Sequence, residues 1–370
     1  MSIRRITNSL TAVTGVMAPE SYHSGMPSRA FACVLRLATA VMLPVAGLML
    51  AVGIAHADPA AWKHEGWTKT DFSKTRIGWH EILSGGPPKD GIPSIDKPIF
   101  KSVVDGRDLT DKEAVIGLAI AGDARAYPLR ILIWHEIVND IVGGIPVTVT
   151  YCPLCNSAVV FDRRVAGQVL DFGTTGKLRN SDLVMYDRQT ESWWQQFTGE
   201  AIVGAFTGTE LKMIPARLES FAEFKARHPG SKLLVPNNPN LRDYGRNPYV
   251  GYDGASAPFL YRGDYPKGIE PMARVVVVRA AGGKVHAVTL ELLRKKGRIT
   301  IGDVELTWQA GQASALDHHE VAKGRDVGTV AASTVTPDGR REATVYDVTF
   351  AFVVHAFHPS IVIVKDLPGH

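Results

Sequence analysis

From residue 114 onward, short apolar runs alternate with turn residues. The runs are Val115 to Ile120, Ala124 to Leu129, Val147 to Tyr151, Ala158 to Phe161, Val169 to Phe172, Leu183 to Tyr186 and Ala201 to Phe206. They have strand lengths, and most carry β-branched or aromatic residues. Two stretches differ. Ile131 to Ile141 sets its apolar residues at helical spacing, and Leu218 to Arg227 predicts a helix that stops at His228-Pro229-Gly230. Upstream, Asp58 to Pro98 is rich in Gly, Pro and charge, which predicts an extended arm over 58–113 with little regular structure. The polar, Tyr/Asn/Pro/Gly-rich passage from Pro236 to Lys267 predicts long functional loops or a linker, and strands resume at Arg274 to Arg279. The expected fold is mainly β with a few short helices, in the α+β class.

The resumed part echoes the first. Gly122 to Leu129 can be laid on Gly283 to Leu290, and each continues to a further leucine, Leu132 and Leu293. Val147 to Ala158 then matches Val304 to Ala315 without a gap, and Tyr186-Asp187 has an echo in Tyr346-Asp347. Agreement in order and spacing predicts two degenerate β-rich repeats packed together, at 114–260 and 261–370. In the second, glutamines Gln309 and Gln312 stand where the first has Cys152 and Cys155.

The N-terminal segment reads differently. Arg29 and Arg36 precede an apolar run from Leu37 to Ile54, followed by the small-x-small pattern Ala55-His56-Ala57. This predicts a bacterial export signal over residues 1–57, cleaved before Asp58, with translation starting at Met1 or Met26. The mature chain is then periplasmic or secreted; left uncleaved, the run would anchor it in a membrane. Removal leaves roughly 310 residues, enough for one large or two ordinary domains. Most of the formal charge of +4 goes with the segment. A nearly neutral chain without a Lys/Arg patch gives no reason to expect nucleic acid as a partner; a small ligand or a protein remains.

Of three cysteines, Cys33 lies in the signal, so Cys152-Pro153-Leu154-Cys155 carries the only thiols of the mature chain. Three chemistries fit it. An exported chain with an even number of thiols commonly forms a disulfide, although a loop this short gains little loop entropy from one. Thiol redox catalysis needs a thiolate, usually supplied by a helix N-terminus behind the pair, whereas Asn156 to Asp162 is strand-like. Metal binding needs one or two further ligands from elsewhere in the fold. His135 is the leading candidate, followed by Met185, His355 and His358. Thiolates with imidazole and thioether favour copper, and thiolates with imidazole and carboxylate or water favour zinc. Tyr151, Glu136, Asp182, Tyr186, Asp187, Trp193, Trp194 and Gln195 are candidate pocket residues. Asp182, Asp187, Glu136 and Asp140 also fit turn chemistry, and adjacent Trp193 and Trp194 must face opposite sides of a strand.

Other motifs fail. The position four after His135 is Asn139, not a zinc-protease histidine; Gly173 to Lys177 has the wrong spacing for a phosphate loop; Asn156 follows Cys155, so covalent haem attachment is absent. There is no dinucleotide fingerprint and no Gly-x-Ser-x-Gly. Whether the chain is an enzyme stays open at this level.

Ala126 to Leu129, Trp134 to Asp140, Tyr151 to Asn156, Phe172-Gly173, Arg179 to Asp182, Met185 to Arg188 and Thr190 to Gln196 together resemble the bacterial and archaeal DUF3179 family, a domain of unknown function. The resemblance covers about 92–248, and Phe350 to Pro359 is similar to the family's C-terminal aromatic and His-Pro stretch. Phe352 to His355 departs from the Trp-rich text expected there. The resemblance implies no established activity.

Overall fold

One strand-and-helix unit occurs twice in the computed structural model, which describes residues 58–366. In the first, Ala114–Ile120 pairs antiparallel with Asp123–Pro128, which leads into helix Leu129–His135 and the hairpin Ile137–Val142 with Ile145–Cys152. In the second, Arg274–Arg279 pairs with Val285–Thr289, which leads into helix Leu290–Lys296 and the hairpin Arg298–Ile301 with Val304–Gln309. The closing segments correspond too. Strand Arg217–Ser220 lies on Ala114–Ile120 and continues through helix Phe221–Arg227 to Lys232–Val235, parallel to Asp123–Pro128. Strand Tyr346–Phe350 lies on Arg274–Arg279 and continues through helix Ala351–Phe357 to Ile363–Val364, parallel to Val285–Thr289. Both closing helices end on a His-Pro pair, with His228 at φ −137° and His358 at φ −136°. Proline ends each because it has no N–H to continue the ladder.

Only the first half carries a further five-stranded sheet, ordered Ile82–Ser84, Phe172–Arg179, Asp182–Asp187, Trp193–Gln195 and Ala201–Val203. The correspondence also ends at the cysteines. After Cys152 a four-residue loop returns the chain to Ser157–Asp162, whereas after Gln309 the next paired strand begins at Thr329. Gln312 is buried and accepts the Thr329 hydroxyl at 3.0 Å. Tyr186-Asp187 and Tyr346-Asp347 lie in strands at different places in the two halves, so that echo has no structural counterpart.

Three expectations need correction. The helix expected over 131–141 stops at His135: Glu136 turns to φ 58°, and Ile137–Val142 becomes a strand against Ile145–Cys152. Its β-branched residues fit either periodicity, and cross-strand pairing decides. Leu218 to Ser220 is strand, and the helix there begins at Phe221, capped by the Ser220 hydroxyl on the Glu223 N–H. The arm is not structureless. Ile82–Ser84 and Ile99–Ser102 join two sheets, and Trp62 and Trp67 are buried against Trp193, with ring centroids 4.9 and 5.1 Å away. Trp67 also meets Tyr186 edge to face and lies under Lys89, whose Nζ bonds Glu191. The export signal expected at 1–57 lies outside the described residues; among those described, no helix is long and apolar enough to cross a membrane.

Trp67→Ala removes a fully buried ring of the aromatic cluster that holds the arm. The expected cost is about 3–5 kcal/mol. It should appear in urea unfolding, with limited proteolysis cutting between 58 and 90 before the body; an arm that stays protected would refute this account of how it is held.

Candidate metal centre

Two hairpin tips meet at the cysteines. The first is the loop 153–156, which joins Ile145–Cys152 to Ser157–Asp162 with Asn156 at φ 51°. The second is the two-residue turn Asn180-Ser181, both at positive φ, which joins Phe172–Arg179 to Asp182–Asp187. Two left-handed residues make a turn whose twist matches its flanking strands. It puts Asp182 opposite Arg179 as the first residue of the returning strand. The Ser181 carbonyl then faces both sulfurs, 3.4 Å from Cys155 Sγ and 3.9 Å from Cys152 Sγ.

Cys152 Sγ, Cys155 Sγ and a carboxylate oxygen of Asp182 lie within 4.8 Å of one another. Both cysteines are free thiols, so the disulfide expected as an alternative is not present. Cys152 is 2 % exposed, Cys155 and Asp182 0 %, and Glu136 7 %. Asp182 Oδ2 accepts the Phe197 N–H at 2.9 Å and the Gln195 amide at 2.6 Å, while Asp182 Oδ1 is buried without a hydrogen-bond partner. Gln195 is itself held by Arg179, whose charge is taken by Glu81 at 2.8 Å.

Electrostatics here run one way. Burial pushes the Asp182 carboxyl up to about 6, against its donors from Phe197 and Gln195. Burial and the neighbouring charge of Asp182 push Glu136 up to about 8. Burial raises both thiols, and the charges of Asp182 and Glu136 raise Cys152 further. Among the described residues, no lysine or arginine bonds Asp182 or Glu136. Four acidic groups lie together in a buried site, and neither carboxyl has a bonded cation.

The second half supplies the floor. The Ser157 hydroxyl and the Ala158 N–H bond Asp347 at 2.5 and 2.9 Å, Asn156 Nδ2 bonds the Val348 carbonyl at 2.7 Å, and Thr349 Oγ1 bonds the Cys155 carbonyl at 2.7 Å. The long loop over 236–267 supplies the roof. Tyr252 donates to the Leu154 carbonyl at 3.0 Å and accepts from the Phe259 N–H, and the Ser181 hydroxyl bonds the Phe259 carbonyl. Tyr249 lies close enough for Glu136 and Cys152 to raise its hydroxyl pKa, after burial.

Several sequence candidates lie elsewhere. His135 does not face the thiols: its Nδ1 bonds the Pro93 carbonyl and its Nε2 the Tyr244 hydroxyl, both at 2.7 Å. Met185 stands between Thr174 and Trp194 in the sheet core, three residues from Asp182 and so on the other face of the strand. His355 is half-buried on the second half's closing helix, and His358 packs on Phe197 at 5.9 Å; neither belongs to the thiol group. Asp187 anchors a turn through the Thr190 N–H and takes the Trp194 indole N–H at 3.0 Å. Trp193 and Tyr186 face the arm and Trp194 faces Phe172, so the tryptophans diverge as expected but do not line the thiols. Tyr151 is buried beside the pair and reaches Asn156 at 3.4 Å. Glu136, Asp182 and Gln195, also candidates, lie beside the thiols. Ser181, Tyr249, Tyr252 and Asp347 were not singled out as site residues; Tyr249 and Tyr252 fall in the passage read as functional loops, and Asp347 in the repeat echo.

A family model described as a protein of unknown function, DUF3179, matches residues 89–361. The chain belongs to the DUF3179 family. The match runs through the second half as well as the first, so both the cysteine hairpin and the strand docked on it are DUF3179 sequence. No curated protein and no solved structure matches this DUF3179 chain.

The raised acids have a testable consequence. A carboxyl whose folded pKa lies above its unfolded value takes up protons on folding, so its stabilisation is complete at low pH and is lost as pH rises through the folded pKa. Glu136, at about 8, acts in a window above the ordinary histidine value of 6.5, where His358, pushed down to about 4 by burial and Arg279, no longer titrates. The melting temperature of chelator-treated protein should therefore fall between about pH 6.5 and 8.5, and Glu136→Gln should flatten that slope. A slope unchanged by the variant would refute the assignment.

Proposed function

We propose that this DUF3179 protein binds a zinc-like divalent transition metal through Cys152, Cys155 and Asp182. The carrying observation is the convergence of two thiols and a carboxylate within 4.8 Å, buried, with Asp182 Oδ1 unpartnered. A cation would supply the missing counter-charge, and buried charges are stable only when paired or metal-bound. The donor set discriminates between the expected metals. Without imidazole or thioether beside the sulfurs, two thiolates and a carboxylate suit zinc better than copper. Loading would displace the protons that burial holds on the thiols, so affinity should rise with pH.

Three protein donors leave the fourth tetrahedral position to water, a ligand or a further side chain. A metal there would act as a Lewis acid. The chain's own residues cover the cysteine loop with Tyr252 and orient Asp182 through Gln195 and the Phe197 N–H.

Thiol redox catalysis is the weaker reading, because it needs a lowered thiol pKa and both thiols are raised. Export belongs to the same proposal: in an oxidising compartment a bound metal would keep an adjacent thiol pair from closing as a disulfide. A mature N-terminus at Asp58 would bear that part out.

Protein reconstituted with zinc and freed of excess should hold one equivalent. Cys152→Ser/Cys155→Ser should hold none, and Asp182→Asn should bind about 10- to 100-fold more weakly. Absence of metal from wild-type protein with both thiols titrating as free would sink the reading, leaving a non-enzymatic binding module.

A further inference from the structure

The two halves treat one backbone position differently. Helices Leu129–His135 and Leu290–Lys296 each end in a residue at positive φ: Glu136 at φ 58°, ψ −31° and Gly297 at φ 71°, ψ −33°. The surroundings match bond for bond. The Glu136 N–H bonds the Leu132 carbonyl at 2.7 Å and the Gly297 N–H bonds that of Leu293 at 2.8 Å. The Glu136 carbonyl accepts the Tyr151 N–H at 2.8 Å and the Gly297 carbonyl accepts the Trp308 N–H at 2.9 Å. Positive φ with negative ψ is open to glycine and strained for any residue with a Cβ. The second half places glycine there, while the first places a buried glutamate.

The fold does not need that glutamate. Its backbone bonds are the ones glycine makes in the other half, and a Cβ built at Gly297 meets nothing within 4 Å. What differs is the neighbourhood: beside Glu136 are Asp182, with its unpartnered Oδ1, and Cys152; beside Gly297 there is no cysteine. Strained backbone persists where function over-determines it.

We propose that Glu136 is a functional member of the cysteine site, contributing its carboxylate to the cation held by Cys152, Cys155 and Asp182, and that the strained backbone at 136 is kept for this. The inference rests on the metal reading above. It adds Glu136 to the three-residue donor group of Cys152, Cys155 and Asp182.

The test uses the full chain, its Glu136→Gly and Glu136→Gln variants, and zinc alone as the probe. Metal-free Glu136→Gly should melt a few degrees above wild type, because it adopts the conformation that Gly297 already uses. Both variants should bind zinc at least about tenfold more weakly, measured by competition with a chromophoric chelator. A lower melting temperature for metal-free Glu136→Gly would make the glutamate structural and overturn the proposal, as would wild-type zinc affinity in both variants. Should wild type itself take no zinc, the metal reading fails together with this one; wild-type binding with unaffected variants would sink this one alone.

Discussion

The docking of strand Tyr346–Phe350 onto the cysteine hairpin is the contact on which the rest of this molecule depends. A loop of four residues carrying two buried thiols has few ways to satisfy its backbone. Here the Cys155 carbonyl, the Asn156 amide, the Ser157 hydroxyl and the Ala158 N–H each find a partner on that strand. The partners are three consecutive residues, Asp347, Val348 and Thr349. Because an unpaired buried donor or acceptor costs about 1–3 kcal/mol, four such bonds hold the thiols in one arrangement. The second half, which has no cysteines, remains necessary to the half that has them.

That rigidity gives the electrostatics their character. In water, four acidic groups so close would repel and reorganise; burial here favours their protonated forms. Under the proposed reading, a cation would take the place of protons rather than of water. The same burial argues against an attacking thiolate, which requires a positive neighbour or a helix N-terminus. The roof over 236–267 contributes by excluding water, and it ties to both hairpin tips at once through Tyr252 to Leu154 and Ser181 to Phe259.

The arm illustrates a different kind of dependence. Gly/Pro-rich text reads as loop, yet its tryptophans supply the covering layer of the sheet that presents Asp182. Trp193 faces the arm while Gln195, two residues on, reaches Asp182. Apolar burial at one end of a three-residue strand and ligand orientation at the other are therefore coupled through one backbone.

The sequence by itself determined the β-rich class, the strands Arg274–Arg279 and Val147 to Tyr151, the divergence of Trp193 and Trp194, and the pairing of two halves in which one keeps the cysteines. These follow from periodicity and local order, which a single chain displays. It also marked Cys152 and Cys155, and it put Glu136 and Asp182 among the candidates without saying which function they serve. Tertiary structure alone decided the rest. His135, adjacent to Glu136, points to Pro93 and Tyr244 because the helix ends between them, and Asp182 displaces it because a left-handed turn at Asn180-Ser181 brings that carboxylate across from a different hairpin. Spacing along a chain reports which side chains share a face, whereas convergence of distant hairpin tips depends on sheet packing that no local pattern encodes.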